Sequence, residues 1–372
     1  MSYSLATLWY ERQRYLPGVL AVGFSALLIA LQCGLLLGLF SITSIPIDNN
    51  QAEVWMGAPG VLSVDLGRPI RESYTARMAA NPEIERCEAY IQGFAYWTKR
   101  DGGTELCMII GSRLADNALG AINRLTPELR DRLTEPGTIV IDRSDRDRLG
   151  VKEIGDTAEV SGLRVRVVGF TEGLRSLAGP YVFCSIPTAR PLLRLLPDQI
   201  TYVLGKCHSR EDAAQVVGRL QDDYRNISAF TKDDFSYRSR LHWLTKTKAG
   251  IALGYAAALG LLVGAVVTSQ TLYAATAASL REFAVLRALG IPRWRMSLLV
   301  VTQAMWVGLI GVGLALPAVY GLAALADRLT VQILLPWWLL TSAASVTLVM
   351  ALGSGLMALR SLREVEPATL LR

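Results

Sequence analysis

Charge is distributed unevenly along this chain. Four runs, Tyr15–Ile47, Ala249–Leu280, Met296–Ala326 and Leu329–Leu359, contain no charged residue, and each exceeds 30 residues. About 20 apolar residues in a helix cross the hydrocarbon core of a bilayer. A core helix of a soluble protein rarely runs so far without charge, because its outer face must meet water. The pattern therefore predicts four transmembrane helices, at 16–47, 249–280, 296–326 and 329–359. The first is too long for the apolar region of a cleaved signal peptide and follows Glu11, Arg12 and Arg14, so it reads as a retained crossing. Before it, residues 1–15 carry Leu5, Leu8, Trp9 and Tyr10 among polar groups, either an amphipathic segment on the cytoplasmic membrane face or an extension of the first helix.

Between the first two runs, residues 48–248 have the mixed pattern of a folded α+β domain, expected to comprise two subdomains. Glu53–Met56, Val61–Asp65, Thr138–Ile141, Tyr181–Ser185, Thr201–Leu204 and Ile227–Phe230 read as strands. Arg86–Lys99 and Glu105–Ile110 flank the turn signal Asp101-Gly102-Gly103, a hairpin. Thr157–Val160 and Leu163–Val168 flank Ser161-Gly162, a second. Thr126–Leu133 reads as a helix with proline at its first position; Asp142–Leu149 and the amphipathic Ala213–Tyr224 are further helices. From Lys232 the helical pattern continues to Ala249, predicting one rod that runs on into the second crossing. The fold class is thus an α-helical membrane protein of four transmembrane helices with a large extracytoplasmic α+β domain.

Hydrophobic residues make up 51% of the chain, which alone decides little. The sign of the flanks decides more. Arg12, Arg14, Arg281, Arg287, Arg293, Arg295, Arg360, Arg363 and Arg372 flank the N-terminal, second-to-third and C-terminal segments, against Glu11, Glu282, Glu364 and Glu366. The third-to-fourth loop has only Asp327 and Arg328. This bias puts both termini in the cytoplasm of a multi-pass plasma (inner) membrane protein and the large domain outside. It also accounts for most of the +6 net charge, which carries no nucleic-acid signal.

Catalytic signatures are missing. The sequence has no Gly-x4-Gly-Lys-Ser/Thr loop, no His-Glu-x-x-His and no Gly-x-Ser-x-Gly, so neither ATP hydrolysis by this chain nor a recognisable hydrolase is expected. Two histidines, His208 and His242, are too few for a histidine-rich metal site, and the adjacent Cys207 and His208 would face opposite sides of a strand. No catalytic or metal residue is assigned. The crossings hold no acid or base at mid-membrane, unlike most ion-coupled transporters. Cys87, Cys107, Cys184 and Cys207 lie in the outer domain, and Cys33 in the first crossing. Cys87 and Cys107 flank the first hairpin and form the preferred disulfide, with free buried thiols the alternative. Gly34 and Gly38 in the first crossing, and Gly260 and Gly264 in the second, make two Gly-x3-Gly spacings. Such spacings allow close helix approach, and these are expected to form a homodimer seam.

The most informative segment is 281–295. Leu280, Phe283, Leu286 and Leu289 recur every three residues, Gly290 suits a left-handed helix stop, and Pro292 suits the first position of a following helix. The reading is helix, turn, helix on the cytoplasmic face, with an apolar stripe that calls for a partner or a membrane surface. Arg281-Glu282-Phe283-Ala284-Val285-Leu286-Arg287-Ala288-Leu289-Gly290 resembles the Arg-Glu-x-x-x-Leu-(Arg/Lys)-Ala-(Leu/Met)-Gly signature of FtsX/MacB-type ABC transporter permeases. Glu366-Pro367-Ala368-Thr369-Leu370 resembles that family's C-terminal Pro-Ala motif, and Gly155-Asp156-Thr157 with the hairpin through Phe170 is similar to its outer-domain pattern. Ala95-Tyr96-Trp97 and Val140-Ile141-Asp142-Arg143 look most like the DevC branch of tripartite exporters.

The resemblance implies a homodimeric permease without a fused nucleotide-binding domain. It would hold no cofactor of its own, with ATP and Mg on a separate cytoplasmic ABC ATPase. Arg281, Glu282, Phe283, Leu286, Arg287, Gly290 and Arg293 would form or adjoin the ATPase contact. A periplasmic membrane-fusion protein and an outer-membrane channel would complete a tripartite efflux system. The function implied is export by mechanotransmission of an amphiphilic or hydrophobic substrate from the periplasm or outer leaflet. The alternative is a transmembrane signal transmitter that activates a periplasmic cell-wall hydrolase. A membrane enzyme with its site in the outer domain is the third reading, opposed by the missing motifs.

Overall fold

The computed structural model describes residues 10, 12–176, 178–278, 292–328 and 331–364. The chain divides into two compact units, Phe40–Thr247 and the combination of Met1–Leu39 with Lys248–Arg372. Helix α1 (Arg12–Ile42) carries the first apolar run from Tyr15 as far as Ile42, short of its expected end at residue 47.

The inserted unit opens with α2 (Ile45–Asp48) and β1 (Val54–Gly57). A single 3-10 turn at Val64–Leu66 follows, then β2 (Ile70–Arg71), α3 (Tyr74–Ala79) and β3 (Ile84–Thr98). The expected strand at Val61–Asp65 is therefore a turn. The Val64 N–H donates to the Ser239 hydroxyl at 3.0 Å instead of to a ladder partner. β4 (Thr104–Ser112) completes the first hairpin; Gly102 is left-handed, and the Asp101 carboxylate accepts from the Gly103 N–H at 2.9 Å. α4 (Pro127–Leu133) is capped by the Thr126 hydroxyl. β5 (Thr138–Asp142) leads through a 3-10 turn into α5 (Arg146–Leu149), ended by left-handed Gly150. β6 (Thr157–Val160) and β7 (Leu163–Thr171) flank Ser161 and Gly162, both at positive φ, as a type I′ hairpin turn requires. β8 (Tyr181–Ser185), α6 (Ile186–Leu192), β9 (Gln199–Ile200), β10 (Tyr202–Cys207), α7 (Ala213–Asp223), β11 (Ser228–Thr231) and α8 (Lys232–Lys246) complete the unit. α7 buries Ala213, Val216, Val217 and Leu220, the stripe its periodicity predicts.

The nine-stranded sheet runs β11-β1-β10-β3-β4-β8-β5-β7-β6, and β6 returns to β3 through Trp97↔Val160 and Thr98↔Glu159. Six strands thus close on themselves. β3 serves both parts: its first half, up to Tyr90, pairs with β10, and its second half, from Ile91, pairs with β4. The open and the closed part of the sheet share this strand and one continuous buried core. Trp97 fills the closed ring and donates its indole N–H to the Leu149 carbonyl at 3.0 Å. On the open side, Trp55 meets Tyr90, Tyr202 and Phe235 at 5.5 Å each, and Phe235 stacks on Phe230 at 4.9 Å.

α8 is not continuous with the second crossing. Thr247 has ψ 145°, outside helical space, and its hydroxyl donates to the Trp243 carbonyl at 2.5 Å. That bond satisfies a helix-end carbonyl locally, the competition by which threonine favours helix termini. α9 (Lys248–Ala278) then starts afresh, followed by α10 (Arg293–Arg328) and α11 (Trp337–Glu364). The fourth helix starts later than its uncharged run. Pro336 disfavours helix in the residue before it, and the Leu334 N–H donates to the Gly34 carbonyl at 3.1 Å. All four long helices are long and apolar enough to cross a membrane.

Small residues set the packing of these helices. A methyl group on Gly264 would lie 3.2 Å from Ser25, one on Gly260 would lie 3.4 Å from Gln32, and Gly34 and Gly38 face Ile333, Leu334 and Gln332. The close approach expected between two copies is thus made within one chain, so these four glycines are not free to form the seam. Ser25 is wholly buried and reaches Thr268 at 2.9 Å and the Gly264 carbonyl at 3.0 Å, joining α1 to α9. Ser354 reaches Ser269 at 3.1 Å, joining α11 to α9.

Candidate functional site

The polar network with the most consequence lies where the inserted unit receives the chain from α1 and returns it toward α9. α2 and α8 are the two segments concerned. The Asp48 carboxylate accepts from the Ser44 hydroxyl at 2.6 Å, the Ser236 hydroxyl at 2.7 Å and the Arg240 guanidinium at 2.6 Å. The Arg240 Nε also donates to Ser44 at 2.8 Å. Deeper in, Lys232 donates its ammonium to the Asn50 carbonyl at 2.6 Å, and burial pulls its pKa down. The Asp48–Arg240 pair is about one-third to two-fifths exposed, so its Coulomb energy alone contributes on the order of 1 kcal/mol or less. Its value is geometric: the guanidinium reaches the Asp48 carboxylate through one nitrogen and the Ser44 hydroxyl through Nε, which fixes the register of α8 on α2. Anchoring strength comes from Phe235, fully buried in the aromatic cluster.

One turn further along α8, the Trp243 indole donates to Asp65 at 2.9 Å. Asp65 is 6% exposed. Burial pushes its carboxyl up to about 6, against the opposing effect of the Trp243 bond. Its second oxygen has no hydrogen-bond partner among the described residues. Unpaired buried carboxylates are expensive, and the Trp243 bond from α8 offsets part of that cost.

The predicted sites fare differently. Arg281, Glu282, Phe283, Leu286, Arg287 and Gly290 lie outside the described residues, as does the 366–370 motif. Arg293 begins α10, and the Arg295 guanidinium lies over the exposed Trp294 ring at 5.3 Å. The Cys87–Cys107 disulfide is excluded by register. Cys107 lies opposite Ala95, eight residues along β3 from Cys87, about 26 Å at ~3.3 Å per residue, whereas a disulfide needs Cα atoms within roughly 7 Å. All five cysteines are free thiols; burial pushes Cys107 up to about 12, so it is inert. Among the described residues no group of three or more His, Cys, Asp or Glu side chains is placed to hold a metal. Sequence reasoning missed Asp48, Arg240, Asp65 and Trp243. A lone acid beside a crossing and an arginine in a polar helix give no signal until the fold brings them together.

Two family models match. Residues 19–223 match the MacB-like periplasmic core domain, and residues 254–367 match the FtsX-like permease C-terminal. The chain belongs to the FtsX/MacB-type permease family. It is accordingly a multi-pass membrane permease of ABC transporter type, whose family members work with a cytoplasmic ABC ATPase. Both matched domains are permease domains and neither binds nucleotide. Three solved structures are similar over about half of the permease. The periplasmic region of MacB from Actinobacillus actinomycetemcomitans is 12% identical and covers 51% of this chain and 94% of its own, at a TM-score of 0.36. The extracellular domain of the noncanonic ABC-type transporter YknZ from Gram-positive bacteria is 10% identical and covers 48% and 98%, at 0.33. A domain of a putative permease protein from Porphyromonas gingivalis is 15% identical and covers 50% and 91%, at 0.31. No curated protein matches the permease.

Proposed function

We propose that the permease is the membrane subunit of an ATP-driven exporter that works by transmitted motion, as in the DevC-like tripartite systems. A separate ATPase would press on residues 281–295 from the cytoplasm, with both termini on that side. The inserted unit would act in the periplasm with a membrane-fusion protein and an outer-membrane channel, moving an amphiphile taken from the periplasm or outer leaflet. The observation that carries this reading is the Asp48–Arg240 clamp. It ties the segment after one membrane helix to the segment before another, so displacement of either helix end loads the same domain. The described membrane helices carry no buried acid or base among their core residues, which fits motion better than an ion-coupled path. Two copies would meet on the exposed stripe Tyr255, Leu259, Leu262 and Val266 of α9, because the glycine faces are filled.

The test is the ATPase activity of the reconstituted permease–ATPase complex with Leu286→Asp. Loss of assembly or of stimulated turnover supports the contact at 281–295; unaltered assembly and turnover refute it. Capture of a periplasmic adaptor favours export, and capture of a cell-wall hydrolase favours the signalling alternative.

A further inference from the structure

A groove of about 700 Å³ opens on the inserted unit between the β2–β9 ribbon, α3 and the loop before β11. Three arginines line it: Arg68, Arg71 and Arg77. None forms an ion pair with a carboxylate among the described residues, whereas eleven other ion pairs occur there. The single acid in the lining is Asp198. Two of the three guanidiniums are held by contacts that leave their charge uncompensated. Arg77 lies over the Tyr74 ring at 4.7 Å and the Tyr224 ring at 4.9 Å, and Arg68 donates to the Pro59 carbonyl. Arg71 is exposed on the β2 edge, where the backbone register with Gln199 fixes its origin. Asn226, Gln199 and Ser73 add uncharged hydrogen-bonding groups, and Ile70, Pro69 and Leu196 form an apolar wall.

We propose that this groove binds a phosphate-type anion. Three guanidiniums without an ion-pair partner among the described residues, two of them held in place, are matched by a planar or tetrahedral oxyanion that takes paired N–H donors. Stacking on two tyrosines restricts Arg77 in advance, so little of its freedom is lost on binding. The volume suits a headgroup-sized ligand, and the apolar wall suits the first carbons attached to it. A free phosphate and a phospholipid headgroup present the same chemistry. The site stands whether the permease exports or signals, since it uses no residue of the clamp or of 281–295.

The experiment measures binding to full-length permease in a phosphate-free neutral detergent by calorimetry, with inorganic phosphate and with dihexanoyl phosphatidic acid as probes, and dihexanoyl phosphatidylcholine as the reference. Binding of either anionic probe that weakens at least tenfold in Arg71→Gln, and further in Arg71→Gln/Arg77→Gln, supports the site; Arg71→Gln alone guards against misfolding, because its side chain has no hydrogen-bond or ion-pair partner to lose among the described residues. Phosphatidic acid binding at least tenfold tighter than phosphate assigns the site to a lipid headgroup, and equal affinities assign it to free phosphate. Binding undiminished in both variants, binding of phosphatidylcholine equal to phosphatidic acid, or no binding of either anion overturns the proposal.

Discussion

Asp65 is one residue whose chemistry and position pull in different directions. Its folded pKa of about 6 lies above the ordinary value of 3.8 because burial disfavours the charge. The fold therefore prefers the protonated form. Asp65 costs nothing below about pH 4, and stability falls as pH rises from about 4 to about 6, then levels off. The gap between the two values corresponds to about 3 kcal/mol. Asp65→Asn keeps an acceptor for Trp243 and removes the charge. It should raise the stability of the full-length protein by up to about 3 kcal/mol at pH 7.5 and leave it unchanged at pH 4. Asp145 is also pushed up to about 6 by burial, so the diagnostic quantity is the difference between wild type and Asp65→Asn in denaturant midpoint across pH. A difference independent of pH would contradict the assignment. Phe235, in the aromatic cluster, is the residue that anchors α8. Phe235→Ala should cost about 3–5 kcal/mol, whereas Arg240→Gln should cost about 1 kcal/mol or less, measured by the same unfolding titration.

The element scale separates what periodicity shows from what contacts decide. β5, β8, the two hairpins, α4 and α7 were legible, because their alternation, turn glycines and caps are local signals. The Val61–Asp65 turn and the break at Thr247 were not. The first depends on the Ser239 hydroxyl far along the chain, which no local pattern encodes; the second carries a local threonine bond to the Trp243 carbonyl, but Thr245 makes the same bond to Leu241 inside the helix, so the residue type does not mark the break. The glycine spacings were read correctly as close-packing motifs, but sequence could not say against what. In the structure they face Ser25, Gln32 and residues 332–334 of the same chain. Gly264→Leu should therefore disrupt the folded monomer itself, seen as aggregation in detergent, because its side chain would collide with Ser25 on α1. If two copies pair on α9, single cysteines at Leu259 or Leu262 in a cysteine-free background should crosslink, and those at Gly260 or Gly264 should not. Crosslinking at the glycines alone would reverse the assignment of faces.

The whole permease joins two kinds of part: apolar helices that pack through glycine, serine and threonine, and a sheet-rich unit with one continuous core. Its architecture was legible because charge-free runs and a signature segment are global features of the sequence. The clamp was not, because Asp48 and Arg240 are separated by nearly the whole inserted unit. The central claim is that motion driven by a partner ATPase reaches that unit through the clamp. The most direct measurement is double electron–electron resonance between spin labels on exposed Tyr237 in two copies of the reconstituted complex, with and without ATP. Transmitted motion predicts a nucleotide-dependent change in the label distance in wild type, reduced or lost in Arg240→Gln while that variant stays folded. An unchanged distance in wild type, while the partner ATPase binds and turns over ATP, would contradict it.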